Sequence, residues 1–157
     1  MNRRMVSRFR SMAVGFTAGA VMNTAGGGCA RVTRTVEYRA AIESFHRAIQ
    51  REHVVERNQS AVWDFQLQVP GTDVIAEVRA RTSPGVVTIK YSDETADRPL
   101  YRYVDYSIPV AIRTAGPVLY VYWVENLIGS HSWLLAYDWE NRRELHRWRV
   151  DPDDMLK

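Results

Sequence analysis

The sequence predicts an α+β fold in which one N-terminal helix packs on an antiparallel β-meander of about seven strands. Residues 36–56 place apolar side chains at helical spacing, whereas the residues after position 60 alternate apolar and polar side chains. A helix followed by regularly spaced strands is typical of a domain that covers an antiparallel sheet with a helix. A chain of 157 residues is long enough for one such domain with a buried core.

The helix predicted at residues 36–56 has one apolar stripe, with spacings of three and four residues. Its opposite face is charged, and Glu43 precedes Arg47 by four positions, a spacing at which opposite charges support a helix by about 0.3 kcal/mol. The polar residues 57–60 end the helix. The apolar stripe comprises Tyr38, Ala41, Ile42, Phe45, Ala48 and Ile49.

Clean alternation after residue 60 predicts strands with one buried and one solvated face. The segment 118–124 is an exception, because all of its side chains are apolar or aromatic, and it therefore predicts a central strand covered on both faces. Residues 151–157 are expected to form a polar, frayed tail. The predicted strands are 62–70, 74–81, 86–91, 100–108, 118–124, 132–139 and 144–150.

The last two predicted strands form a hairpin around the turn at residues 140–143. This turn predicts a register in which Tyr137 lies opposite His146 and Leu135 lies opposite Trp148. One face of the hairpin is then largely aromatic. The order of one helix and then strands is that of cystatin-like and NTF2-like folds, an analogy of element order that carries no function.

The first 28 residues have the composition of an export signal. They hold four arginines and no acidic residue, then an apolar run at 11–22, and residues 23–30 are mostly small. The apolar run has about a dozen residues, whereas a helix needs about 20 to cross a bilayer. We therefore expect residues 1–28 to be a cleaved signal peptide rather than a transmembrane helix.

The only cysteine, Cys29, follows Gly27 and Gly28. This segment resembles the signal peptides of bacterial lipoproteins, and the resemblance covers residues 1–29. It implies cleavage before Cys29 and a lipid on that cysteine. The membrane is then a partner through this lipid, and the protein lies on the periplasmic or extracellular side. One cysteine allows no intramolecular disulfide, so the core alone must hold the fold.

Residues 29–35 are then a tether, and residues 36–157 are a single globular domain. Two alternatives remain open. Cleavage after Ala30 at a small-x-small site would discard the cysteine and release a soluble secreted protein. An uncleaved cytosolic N-terminus with an unmodified thiol is the other.

The charge of the mature chain excludes a nucleic-acid partner. The whole chain carries +3, but four of its 21 basic residues lie in residues 1–28, which hold none of the 18 acidic residues. The remainder has 17 basic and 18 acidic side chains, a net charge of −1. A nucleic-acid-binding domain would keep a basic stripe on its folded part.

Aromatic side chains are concentrated in the last third of the chain. Aromatic residues on strands form core more often than binding sites. One predicted helix cannot cover both faces of strand 118–124, however, so we expect a ligand, an envelope protein or a second copy of the chain to cover the other face. The candidate surface comprises Tyr120, Tyr122, Trp133, Tyr137, Trp139 and Trp148. The function expected is therefore a non-catalytic binding or scaffold role.

The alternative is a small envelope hydrolase. Adjacent Ser130 and His131 could act as nucleophile and base, and Glu144 with His146 could form an acid–base pair on one strand face. No G-x-S-x-G nucleophile elbow accompanies them, and adjacent residues seldom orient toward one another. A binding role is therefore preferred over catalysis.

No metal or cofactor is expected. Glu43, His46 and His53 would project from one side of the predicted helix. Positions 46 and 53 are two turns apart, about 10 Å along the axis, which is too far to share one ion. A solvated polar face accounts for all three.

Overall fold

A computed structural model describes residues 32–102, 107–125 and 131–156 of the chain. The predicted signal peptide, Cys29 and Ser130 lie outside these residues. Within the described part of the chain, no helix combines the length and the apolar character needed to cross a membrane.

The described residues form two five-stranded antiparallel sheets and two short helices. The elements in chain order are α1 (Val36–Arg47), β1 (Ile49–Gln50), β2 (Val54–Val55), β3 (Ala61–Gln68), β4 (Ile75–Thr82), β5 (Gly85–Tyr91), β6 (Arg98–Arg102), β7 (Ser107–Ala115), β8 (Val118–Glu125), β9 (His131–Asp138), β10 (Arg143–Val150) and α2 (Pro152–Met155). Sheet A has the strand order β1-β7-β8-β9-β10, and sheet B has the order β2-β3-β4-β5-β6.

Sheet A is the middle of three layers. Its inner face packs against sheet B around fully buried side chains such as Trp63, Val78 and Leu135. Its outer face packs against α1, where Phe45 lies between Tyr120 and Tyr122 with ring centroids 6.2 Å apart in each case. The two cores share sheet A, so β8 is covered on both faces, as its apolar sequence predicts.

An antiparallel sheet with a helix before it is confirmed, whereas the single seven-strand meander is not. The residues that the structure describes instead form ten strands, divided equally between two sheets. The helix predicted at 36–56 ends at Arg47, and the residues after it form β1 and β2. The predicted pair of Glu43 and Arg47 is confirmed at 3.7 Å.

Residues 49–55, the sheet-switching segment, pass from sheet A to sheet B. Ile49 pairs with Thr114 of β7, and Val54 pairs with Val62 of β3. Between these pairs, the Arg51 side chain donates from Nε to Thr114 Oγ1 at 3.0 Å, and its carbonyl accepts from Trp63 Nε1 at 3.1 Å. The segment therefore connects an edge of sheet A to an edge of sheet B.

The expected frayed tail is wrong, because Pro152–Met155 form the helix α2 and Met155 is buried. Asp151 caps α2 by accepting from the Asp153 amide at 3.0 Å, and Met155 is buried against α1 and sheet A. Before α1, Thr35 caps the helix by accepting from the Tyr38 amide at 3.1 Å. Of the predicted tether, residues 32–35 thus contact the domain.

Candidate ligand-binding site

The β9–β10 hairpin differs in register from the prediction. Glu144 pairs with Tyr137, and His146 pairs with Ala136, because Leu145 between them forms a bulge. Beyond the bulge Trp148 lies opposite Leu134 rather than Leu135. An extra residue in one strand moves every later side chain to the other face. The predicted register is therefore wrong from the turn onward.

The bulge separates the predicted acid–base pair. Glu144 lies on the inner face of sheet A, where its carboxylate accepts from Arg147 Nη2 at 2.9 Å. His146 lies on the outer face, with its ring 4.5 Å from that of Trp148. A carboxylate and an imidazole on opposite faces of a strand cannot exchange a proton directly, so this hydrolase candidate is dropped.

His131 is placed beside an arginine. Its Nδ1 lies 3.1 Å from Arg149 Nη2, and because a guanidinium nitrogen can only donate, Nδ1 accepts. The neutral ring then carries its proton on Nε2, which makes His131 a poor general base while this bond is in place. Its proposed nucleophile, Ser130, lies outside the described residues.

The six candidate aromatic residues do not form one surface. Tyr120 and Tyr122 are buried beneath α1, and Tyr137 and Trp139 are buried between the sheets. Only Trp133 and Trp148 are partly exposed, and they lie on opposite faces of sheet A. Successive side chains of a strand lie on opposite faces, and both faces of sheet A are covered by this chain itself, one by sheet B and the other by α1.

The candidate metal ligands are also apart. His53 lies beyond the end of α1, with its ring 4.9 Å from that of Trp63. His46 Nε2 lies 2.8 Å from the Asp154 carbonyl oxygen. The described part of the chain contains no group of three or more His, Cys, Asp or Glu side chains that could hold a metal ion.

Sheet A does bring aromatic and basic side chains together on its inner face. The rings of Trp123 and Trp133 stack with centroids 6.5 Å apart and planes at 18°. Tyr101 of sheet B lies 4.8 Å from Trp123, and the Arg147 guanidinium carbon lies 5.3 Å from the Trp123 ring centroid. The aromatic–basic cluster comprises Tyr101, Trp123, Trp133, Arg147, Arg149 and His131.

Pairing across three strands builds this cluster. Trp123 lies opposite Trp133, which lies opposite Arg149 on the edge strand β10. Neighbouring strands are about 4.8 Å apart, so these three side chains form one row about 10 Å long. Continued along the strand, the predicted register pairs Arg147 with Ala136 and Arg149 with Leu134, on the other face of the hairpin. It therefore does not predict this row.

Each of the two stacked indoles has a donor that no described residue pairs with. Trp123 is 2 % exposed, and neither its Nε1 nor the buried Nε1 of Trp133 has a hydrogen-bond partner among the described residues. Two other buried indoles are paired, since Trp63 donates to the Arg51 carbonyl and Trp139 donates to the Gly116 carbonyl at 3.0 Å.

Arg149 is a cation that has no carboxylate partner among the described residues. Within the described ranges, no Asp or Glu oxygen lies within 4.0 Å of its guanidinium, whereas Arg147 is paired with Glu144. Glu125, cross-strand from His131, is the other carboxylate at this end of the inner face. The cluster therefore offers donors from Arg149 and two indoles, beside a partly exposed aromatic ring.

Comparison with protein-family models, with curated protein sequences and with solved structures found no match. No family assignment follows. The analogy with cystatin-like and NTF2-like folds rests on element order alone, and the aromatic–basic cluster is the feature of the described residues that has a binding chemistry of its own.

Proposed function

We propose that this protein is exported, held at the membrane by a lipid on Cys29, and acts there as a non-catalytic binding protein through the aromatic–basic cluster. The observation that carries the binding role is the stack of Trp133 on Trp123, beside Arg149 on the next strand. In the described ranges of the chain, neither of the two indole donors has a hydrogen-bond partner. Sites that bind small molecules are typically lined by aromatic and apolar side chains with a few directed polar groups.

The composition of residues 1–28 supports export, and Gly27-Gly28-Cys29 supports lipidation. Val32, three positions after Cys29, packs against the core beneath α1. Three extended residues span at most about 10 Å. A lipid on Cys29 would therefore hold this end of the domain close to the bilayer.

A binding role is favoured over hydrolysis by the chemistry of the cluster. The described groups are donors, from two indoles and two guanidiniums, and the nearest imidazole already accepts from Arg149. Acid–base catalysis needs a group that can take a proton from the reacting molecule. On this face the carboxylate of Glu144 is engaged by Arg147, and Glu125 lies cross-strand from His131.

Determining the first residue of the mature protein, together with the protein's mass, tests the export proposal. The protein is expressed at full length, extracted from membranes, and its intact mass is measured beside that of Cys29→Ser. We expect the wild type to begin at Cys29 with the added mass of acyl chains, and the variant to lose this mass and the membrane fraction. A start at Arg31 would overturn the lipid anchor in favour of soluble secretion. An intact Met1 would overturn export altogether.

A further inference from the structure

We infer that the aromatic–basic cluster binds a small organic carboxylate. Arg149 and the indole N–H groups of Trp123 and Trp133 would bind the carboxylate, and the apolar body of the ligand would lie on the partly exposed Trp133 ring. This inference rests on the binding role proposed above and specifies its ligand class.

Unpaired indole donors require an acceptor. A buried N–H without a partner is destabilising, and the large majority of buried polar groups in proteins are hydrogen-bonded. Trp123 and Trp133 place two such donors in one stacked pair, while Trp63 and Trp139 in the same core are satisfied by carbonyls. A ligand that brings acceptor oxygens to this pair removes the penalty.

The charge of the cluster selects an anion. Arg149 is one strand away from Trp133, and a guanidinium matches a carboxylate in planar, two-bond geometry. The only partner of its side chain among the described residues is the neutral nitrogen of His131. Arg147, which is paired with Glu144, adds a second guanidinium to this face. A cationic ligand would meet both guanidiniums.

The aromatic rings select an apolar body. Trp133 is partly exposed on the inner face near edge strand β10, and Trp123 and Tyr101 support it from beneath. A flat apolar group stacked on a ring held in this way loses little conformational entropy on binding. A carboxylate on a planar hydrocarbon combines both requirements.

The test uses the full-length protein in detergent, with its tryptophans labelled with ¹⁵N, so that each indole N–H gives a separate signal. The probes are 2-naphthoate, its uncharged analogue 2-naphthamide and 2-naphthyl phosphate. We expect naphthoate to shift the signals of Trp123 and Trp133. The signals of Trp63 and Trp139, whose donors are already bonded within the protein, are internal controls and should stay in place.

Variants of β10 test the role of the cation. Arg149→Gln should weaken naphthoate binding about 10-fold or more, since bonds to charged groups contribute about 1.5–3 kcal/mol each. Arg149→Lys, which keeps the charge and loses the planar fork, should give an intermediate loss. Arg143→Gln is the matched control, because Arg143 is an exposed cation on the same strand, away from the cluster, and should bind naphthoate as the wild type does.

Each outcome decides between ligand classes. Equal binding of naphthoate and naphthamide at these two indoles would overturn the carboxylate inference and leave the binding role standing. Tighter binding of the phosphate would replace the carboxylate with a phosphoryl ligand. If no probe moves the two indole signals, both the inference and the binding role fail, whatever the mature N-terminus shows about export.

Discussion

Arg34 and Asp154 are 120 positions apart in the sequence, and their side chains form an ion pair with 2.8 Å between Arg34 Nε and Asp154 Oδ2. The same carboxylate oxygen accepts a hydrogen bond from Tyr38 Oη at 2.8 Å. These contacts join α1 and the residues before it to α2, which lies at the other end of the domain's sequence.

Loss of this carboxylate should destabilise the domain. We expect Asp154→Ala to lower the free energy of unfolding by about 2 kcal/mol, because the Tyr38 hydroxyl loses its acceptor and Arg34 loses an ion pair. Urea unfolding followed by tryptophan fluorescence gives this value. Asp153→Ala removes a neighbouring exposed carboxylate and should change stability by less than about 0.5 kcal/mol. Equal effects of the two substitutions would contradict the role given to Asp154.

Alkaline conditions should weaken the same contact. Burial raises the pKa of Tyr38 to about 12, so the fold favours the neutral phenol. In the unfolded chain a tyrosine ionises near pH 10, and the unfolded state therefore releases a proton that the folded state still holds. The contribution of Tyr38 to stability is present below pH 10 and is lost as the pH rises toward 12. The midpoint of urea unfolding should fall more steeply with pH over this range in the wild type than in Tyr38→Phe. If the two midpoints change with pH in parallel, Tyr38 ionises in the fold as it does in the unfolded chain.

Acid should weaken a second contact, between the β5–β6 loop and the β9–β10 turn. Glu94 accepts from Arg98 at 2.6 Å and from Arg142 at 2.7 Å, and these bonds, with Arg98 contributing most, lower its pKa to about 2. The fold thus favours the ionised carboxylate, and the stability it supplies is present above about pH 4.5 and lost as the pH falls toward 2.

Thermal unfolding between pH 5 and pH 2 measures this effect. We expect the wild-type Tm to fall more over this range than that of Glu94→Gln, which has no carboxylate to protonate. Asp97→Asn changes an exposed carboxylate of the same loop that has no ion pair within the described part of the chain, and its curve should follow the wild type. If the Tm of Glu94→Gln falls between pH 5 and pH 2 as much as that of the wild type, the prediction is refuted.

Arg113 of β7 should hold the end of α1. Its Nη1 donates to the carbonyls of Phe45 at 3.1 Å and His46 at 3.3 Å, and its guanidinium carbon lies 4.3 Å from the Phe45 ring centroid. A cation at the carboxyl end of a helix is favoured by the helix dipole. Here it also binds two carbonyls of the last turn, and that of Phe45 also accepts from the Ala48 amide at 3.2 Å.

We expect Arg113→Gln to cost about 2 kcal/mol of folding free energy. Arg47→Gln is the control, because this side chain is 76 % exposed and pairs only with exposed Glu43 among the described residues. Its cost should stay below about 0.5 kcal/mol. Chemical denaturation of both variants, followed by circular dichroism, compares their free energies of unfolding directly. If Arg113→Gln leaves the free energy of unfolding unchanged, Arg113 does not stabilise the end of α1.

Strand alternation could be predicted because each residue in a strand faces one side or the other. Trp63 and Leu67 are buried and Asp64 is exposed, as the pattern of β3 indicates. The end of α1 could not be predicted in the same way. Ile49 continues the apolar spacing of the helix, yet it is 68 % exposed, because a cap from Arg113 and pairing with β7 divert the chain. Both contacts come from residues more than 60 positions away.

The candidate site was only partly predictable for a related reason. The sequence identifies Trp133 and Trp148 as aromatic residues of the last hairpin, but their faces depend on one extra residue in β10. Leu145 is apolar, like a residue that belongs to the core, and nothing in its type marks a bulge; it is 44 % exposed. Because a shift of one residue exchanges the two faces, this single position determines whether Arg147 and Arg149 lie beside the tryptophans.

The passage of residues 49–55 between the sheets has a consequence for how the domain comes apart. Residues 49–55 contribute one strand to each sheet, so the unfolding of either sheet removes backbone hydrogen bonds from the other. Heating should therefore produce a single transition. Amide protons in the middle of β4 and of β8 should exchange with solvent through the same global opening, with equal protection.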